Sequence, residues 1–135
     1  MNILMQMIKK EINIDPITVA LLNDMLLSDK NKFCVLKVKN LVMEVESIFD
    51  FHLRKESVYK LPIKEPRYLL FRSRKIHSVN YLSHRLILGY WCPKLAILND
   101  KVEYTSARVA LLKSLPRGSH IYFIRDSSEL MKMLR

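Results

Sequence analysis

Apolar residues recur along this chain at intervals that alternate between helical and strand-like stretches. Ile12, Val19, Leu22 and Leu26 keep a broadly helical period, and Asp15-Pro16 offers an N-cap followed by a first-turn proline, which predicts a helix over 16–28. The run Phe33-Cys34-Val35-Leu36-Lys37-Val38 is short, apolar and β-branched, and periodicity leaves strand and helix entry equally open there. Val38, Leu41, Val42, Val45, Ile48 and Phe49 then return at steps of three and four, with Lys39, Glu44 and Glu46 opposite. That stripe predicts an amphipathic helix over about 38–52.

Pro62 and Pro66 bracket an extended basic link, Lys60-Leu61-Pro62-Ile63-Lys64-Glu65-Pro66, and a further helix is predicted from Pro66 or Arg67 to about His77. Ser78 or Asn80 caps a short helix through Leu82, Leu86 and Ile87. Gly89-Tyr90-Trp91-Cys92-Pro93 reads as a turn, with Pro93 opening a helical turn through Lys94 to Leu98. A helix over about 103–115 follows, with Tyr104, Ala107, Ala110, Leu111 and Ser114 on one side and Thr105, Arg108 and Leu112 on another; Pro116-Arg117-Gly118-Ser119 stops it. His120-Ile121-Tyr122-Phe123-Ile124-Arg125 has strand composition, and Asp126-Ser127-Ser128-Glu129 supplies a cap before Leu130 to Leu134. Together these elements predict one mainly α domain over 1–135: a helical extension over 1–35, a helix-turn-helix core over 38–115 and a tail over 116–135. Should 33–38 pair with 121–125 as two strands, the fold becomes an α+β winged-helix variant.

Composition sharpens this picture. A chain of 135 residues that is 50% apolar, with mean hydropathy +0.01, has the size and greasy surface of one globular domain. Glycine occurs only twice, so tight hairpins and Gly-rich phosphate loops should be scarce and helices favoured. The longest apolar stretch, Leu86 to Cys92, falls far below the roughly 18 to 20 residues a bilayer span needs, and no charged n-region precedes the apolar start. Cys34 and Cys92 form neither a metal spacing nor a disulfide framework, which fits a reducing cytoplasm.

Charge changes the picture most. The net of +10 is uneven: residues 1–50 carry −1, residues 51–95 carry +8 and residues 96–135 carry +3. The middle zone holds Arg54, Lys55, Lys60, Lys64, Arg67, Arg72, Arg74, Lys75, Arg85 and Lys94 against Glu56 and Glu65, with Arg67, Arg72, Arg74 and Lys75 beside Tyr68 and Phe71. Guanidinium forks pair with phosphates and aromatics pack their stems, so the pattern points to nucleic acid. His52, His77, His84 and His120 are the obvious general bases, but their spacing makes neither a metal site nor a triad, and no catalytic residue, metal or cofactor is expected. Cys34 reads as a buried small hydrophobe, and Tyr90 and Trp91 as core.

Over about 38–115 the order of features resembles the C-terminal DNA-binding domain of the bacterial chromosomal replication initiator family. The residues that carry the resemblance are Val38-Lys39-Asn40-Leu41-Val42-Met43-Glu44-Val45 through Phe49-Asp50-Phe51, the basic link, Pro66-Arg67-Tyr68-Leu69-Leu70, and Val79-Asn80-Tyr81-Leu82-Ser83-His84-Arg85-Leu86. Glu103-Tyr104-Thr105-Ser106 stands where that family shows an acid-His-Thr-Thr signature. Tyr104 replaces the histidine, and an insertion containing Trp91 and Pro93 precedes it; a register without the insertion makes Pro93 to Lys101 the reading helix. No ATPase loop is present. The resemblance implies a stand-alone duplex DNA-binding module of a phage or mobile-element replication factor or regulator. Phosphates would be held by Lys60, Lys64, Arg67, Arg72, Arg74, Lys75, Arg85, Lys94 and Lys101, and base edges read by Tyr104, Thr105, Ser106 and Arg108. Two alternatives stand beside it: a small basic ribonuclease toxin, with His77 or His84 as base and Arg72, Arg74 or Arg85 as clamp, and a basic interaction factor for an acidic partner. Residues 1–35 are an expected homodimerising element.

Overall fold

The structure, a computed structural model, describes residues 12–27, 32–73, 85–115 and 120–134. Its centre is a six-stranded mixed sheet in the order β1-β3-β2-β4-β5-β6, formed by β1 (Asn13–Ile14), β2 (Lys32–Lys39), β3 (Val42–Asp50), β4 (Arg67–Ser73), β5 (Arg85–Trp91) and β6 (Ile121–Ile124). The four central strands run antiparallel to one another, and the edge strands β1 and β6 pair in parallel with β3 and β5. Four helices complete the described fold: α1 (Pro16–Leu27), α2 (Arg54–Tyr59), α3 (Leu98–Lys113) and α4 (Ser127–Leu134).

The expected mainly α, helix-turn-helix architecture is therefore replaced by a mixed α/β one. Residues 38–52 form a hairpin instead of a helix. Asn40 and Leu41 both take positive φ, 53° and 63°, and join β2 to β3 as a two-residue turn of the kind that suits a twisted hairpin. No glycine was needed for it. The pairing then slips by one residue at Glu46, because Val35 faces Ser47 while Leu36 faces Val45. The turn and the bulge together offset the alternation of a strand and imitate the three-and-four spacing of a helix. The expected helix beginning at Pro66 or Arg67 is β4, and Arg85 and Leu86, assigned to a short helix, open β5; the rest of both predicted helices lies outside the described residues. The strand-or-helix ambiguity at 33–38 resolves to β2, but its neighbours are β3 and β4, and it never meets β6.

Alternation along the strands builds two cores. Cys34, Leu36, Val38, Met43, Tyr68, Leu70 and Leu88 face one side, where α1 contributes Leu22 and Met25 and α3 contributes Tyr104, Ala107 and Leu111. Phe33, Val35, Leu69, Phe71 and Ile87 face the other, under Val58 of α2 and Leu130 and Leu134 of α4. Of the residues 1–35 expected as a homodimerising element, Ile12, Leu22, Met25 and Phe33 are spent on the chain's own interior, while 1–11 and 28–31 lie outside the described residues. Asp126 caps α4, its Oδ1 accepting from the Glu129 amide at 2.9 Å, while Glu129 Oε2 accepts in return from the Arg125 amide at 3.1 Å.

Gly89, read from sequence as a turn residue, lies mid-strand in β5. A Cβ there would come within 2.6 Å of Ile124 Cδ1, and Ile124 is fully buried. Gly89→Ala is expected to cost about 1–3 kcal/mol through overpacking. An unchanged urea midpoint would contradict this packing of β6 on β5.

Cys34 sits at the centre of the first core, its Sγ 3.3 Å from Met25 Sδ. Burial pushes its pKa from an ordinary 9.0 to about 12, opposed only partly by Lys32. The folded state holds this proton and the unfolded state releases it, so the stabilising contribution is complete below pH 9 and drains away as pH rises towards 12. Cys34→Ala should flatten the alkaline side of the stability profile measured by denaturant titration.

Candidate protein-interaction surface

Two stripes run along α3. The inward one, Tyr104, Ala107 and Leu111, is buried against the sheet. Leu98, Val102, Thr105 and Val109 recur at steps of four, three and four on the opposite side, which at about 100° per residue places them in one row, and Leu112 at its end packs against the first core. Leu98 is 64% exposed and Val109 57%, and Thr105 is exposed between them; Val102 and Leu112 are half-buried. Leu95 and Ile97, in the loop that leads into the helix, extend the apolar surface and are also exposed. Lys101 and Arg108 share one flank of the row, and Lys113 lies towards the other. The inward stripe is buried in the chain, while Leu98, Thr105 and Val109 of the second row stay in solvent.

A buried polar cluster pins this helix to the sheet. Tyr104 Oη accepts from the Val38 amide at 3.0 Å and from Arg67 Nη1 at 3.3 Å, and the Tyr68 hydroxyl donates to the Tyr104 carbonyl. The Arg67 guanidinium donates to both carboxylate oxygens of the bulge residue Glu46, Nε to Oε1 at 3.1 Å and Nη2 to Oε2 at 3.2 Å, and Nη1 also donates to the Pro66 carbonyl at 2.7 Å. Glu65 lies 3.7 Å away on the same guanidinium, and Lys37 3.9 Å from Glu46. Burial raises the pKa of Tyr104, while the Val38 amide and Arg67 pull it back. Burial likewise pushes up Tyr68, with Arg108 opposing.

Among the described residues, the cations expected to grip phosphate stand in unlike environments. Arg67 and Arg72 are core residues, 4% and 8% exposed, and Arg72 donates to the Met25 carbonyl. Lys60 is exposed with its ammonium 5.5 Å above the Phe49 ring, and Lys64 is exposed in the loop before β4. Arg85 opens β5 opposite Ser73. Arg74 and Lys75, like His77 and His84 of the ribonuclease alternative, lie outside the described residues. Lys94 and Arg108 are exposed and Lys101 half-buried, all on or beside α3. Of the expected base readers, Tyr104 is buried in the cluster, Ser106 donates back to the Val102 carbonyl at 3.0 Å, and Thr105 alone joins Arg108 on the surface. Among the described residues no cluster of His, Cys, Asp or Glu could hold a metal ion, and no helix is long and apolar enough to cross a membrane.

The residues that sequence reasoning missed are Leu95, Ile97, Leu98 and Val109. The signal was present in the four-three row, but a helix start placed at Glu103 instead of Leu98 hid its first two members.

A six-stranded mixed sheet with helices on both faces defines the class of fold. The sequence profile of the cofilin/tropomyosin-type actin-binding proteins matches residues 11–133, and the chain belongs to that family. Solved structures agree in fold. Plasmodium berghei actin depolymerization factor 2 superposes with a TM-score of 0.76 at 18% identity, over 93% of this chain and 96% of that one. Streptomyces griseoflavus cofilin gives 0.73 at 20% identity, over 88% and 89%. The glia maturation factor of Caenorhabditis elegans gives 0.69 at 20%, over 91% and 94%. Among curated proteins compared by sequence, none matches.

These findings overturn the resemblance to a replication initiator and, with it, duplex DNA as the partner and replication or transcription control in a phage or mobile element as the role. The ribonuclease and acidic-partner alternatives gain no better support. The physical reason is the sheet: where a helix-turn-helix would present Arg67 and Tyr104 to a groove, β4 and α3 turn both inward.

Proposed function

We propose that this chain binds actin through the outward row of α3 and the loop before it, as a non-enzymatic, cytoplasmic regulator of actin assembly. Membership of an actin-binding family supports the partner, and the similar fold of an actin depolymerization factor and a cofilin supports the mode. The observation that carries the assignment of the surface is the exposed row Leu98, Thr105 and Val109, flanked by Lys101 and Arg108. Apolar anchors with a cationic rim suit protein recognition, because the centre supplies affinity and the charges set orientation and encounter rate. Cys34 and Cys92, both free thiols, are compatible with a reducing compartment.

The test is co-sedimentation with filamentous actin beside titration of fluorescently labelled monomeric actin. Saturable binding to either form at micromolar concentration is the expected result. No binding to both forms would remove the proposal.

A further inference from the structure

The buried cluster under α3 contains a charge, the Arg67 guanidinium. Burying a guanidinium is costly and by itself adds little stability, so its presence is better explained by specificity of placement. Its geometry says what is placed. Arg67 starts from β4, is clamped by Glu46 at the one bulge that interrupts the β2–β3 ladder, and reaches Tyr104 Oη, which also takes the Val38 amide of β2. Two strands, β2 and β4, thereby bond a single side chain of α3, and β3 holds the second of them in place through Glu46. Tyr104 is adjacent to Thr105 and six residues from Leu98 in sequence, so its attachment point fixes both the rotation and the height of the exposed row.

We infer that Arg67 is a positioning residue for partner binding: held at the bulge by Glu46, it locks Tyr104 and so sets the rotation of α3 that turns the row Leu98, Thr105 and Val109 outward. The inference rests on the actin reading of that row. A rigid, preorganised row binds more tightly than one that must be ordered on contact, and a helix rotated by one position would present Ser106 and Ala110 in place of Thr105 and Val109.

Arg67→Lys keeps the charge and loses the fork; Tyr104→Phe keeps the ring and loses the hydroxyl. Each is expected to weaken actin binding about five- to tenfold. Because both act through one contact, adding Arg67→Lys in the Tyr104→Phe background should weaken binding no further. Val58→Ala, in the opposite core, is the control for stability alone and should lower the melting temperature while leaving affinity unchanged. The full chain is used throughout. Hydrogen exchange supplies a readout independent of actin: α3 amides should exchange at least tenfold faster in both single variants, with β4 and β5 unaffected. If wild type binds actin and the variants bind equally, or lose affinity only as the control does, the inference fails. If wild type does not bind actin, the proposed function fails, and α3 exchange alone then decides this inference, unchanged rates overturning it. Should either variant not fold, the other carries the test.

Discussion

Arg67→Ala is expected to lower folding stability by about 2–4 kcal/mol. The substitution leaves the Glu46 carboxylate facing a cavity without its two donors, and it takes from Tyr104 Oη its charged partner. Breaking a well-buried ion pair costs about 3–5 kcal/mol; the figure is reduced because Glu46 keeps 35% of its side chain in solvent and Lys37 stands close by. For a domain of this size the melting temperature should fall by roughly 8–15 °C. Arg108→Ala, exposed on α3, supplies the contrast and should stay within about 0.5 kcal/mol of wild type. Equal effects of the two substitutions would show that Arg67 is not the buried centre of a network.

The same residue explains what the sequence concealed. Arg67, Arg72, Arg74 and Lys75 beside Tyr68 and Phe71 looked like a phosphate grip because composition counts a charge without its environment. Arg67 meets Glu46, a partner distant in sequence that reaches it only once β3 and β4 flank β2. Arg72 ends on a backbone carbonyl of α1, and no pattern of side chains records that pairing.

Periodicity failed for an equally physical reason. In β4, Tyr68, Leu69, Leu70 and Phe71 are all buried, because helices cover both faces of the sheet. Such a strand shows no alternation, and an uninterrupted apolar run after a proline is indistinguishable from a helix start. In β3 the bulge at Glu46 shifted the alternation by one residue. Scarcity of glycine argued against hairpins, yet Asn40 and Leu41 accept the left-handed turn, at a cost of about 1–2 kcal/mol for the leucine. The elements that were legible had local causes: the proline that opens α1, the apolar inward stripe of α3, and the Asp126–Glu129 cap of α4. Their signals lie within a few residues of the structure they specify. The candidate surface was half legible, since Arg108 and Thr105 were singled out as contacts, though for a different partner, while Leu98 was assigned to a separate turn opened by Pro93 and its row with Val109 stayed hidden.

Leu98→Asp separates that row from the fold. Position 98 is the first residue of α3 and is 64% exposed, so the substitution removes little packing within the chain. A carboxylate in the first turn interacts favourably with the helix dipole, and α3 has only Asp100 there, so stability should hold or rise by about 0.3–1 kcal/mol. At an interface the same change takes an apolar anchor away and puts a charge that must be desolvated in its place. Anchors of this kind contribute about 2–4 kcal/mol, so actin affinity is expected to fall roughly 30- to 800-fold. Arg108→Glu, on the flank of the row, should act differently: a loss of about tenfold that shrinks as salt is raised, because exposed charges are screened and act mainly on encounter. Measured in the same co-sedimentation assay at two ionic strengths, Leu98→Asp gives a salt-independent loss and Arg108→Glu a salt-dependent one. Undiminished binding by Leu98→Asp, with the melting temperature preserved, would move the partner to another face of the molecule.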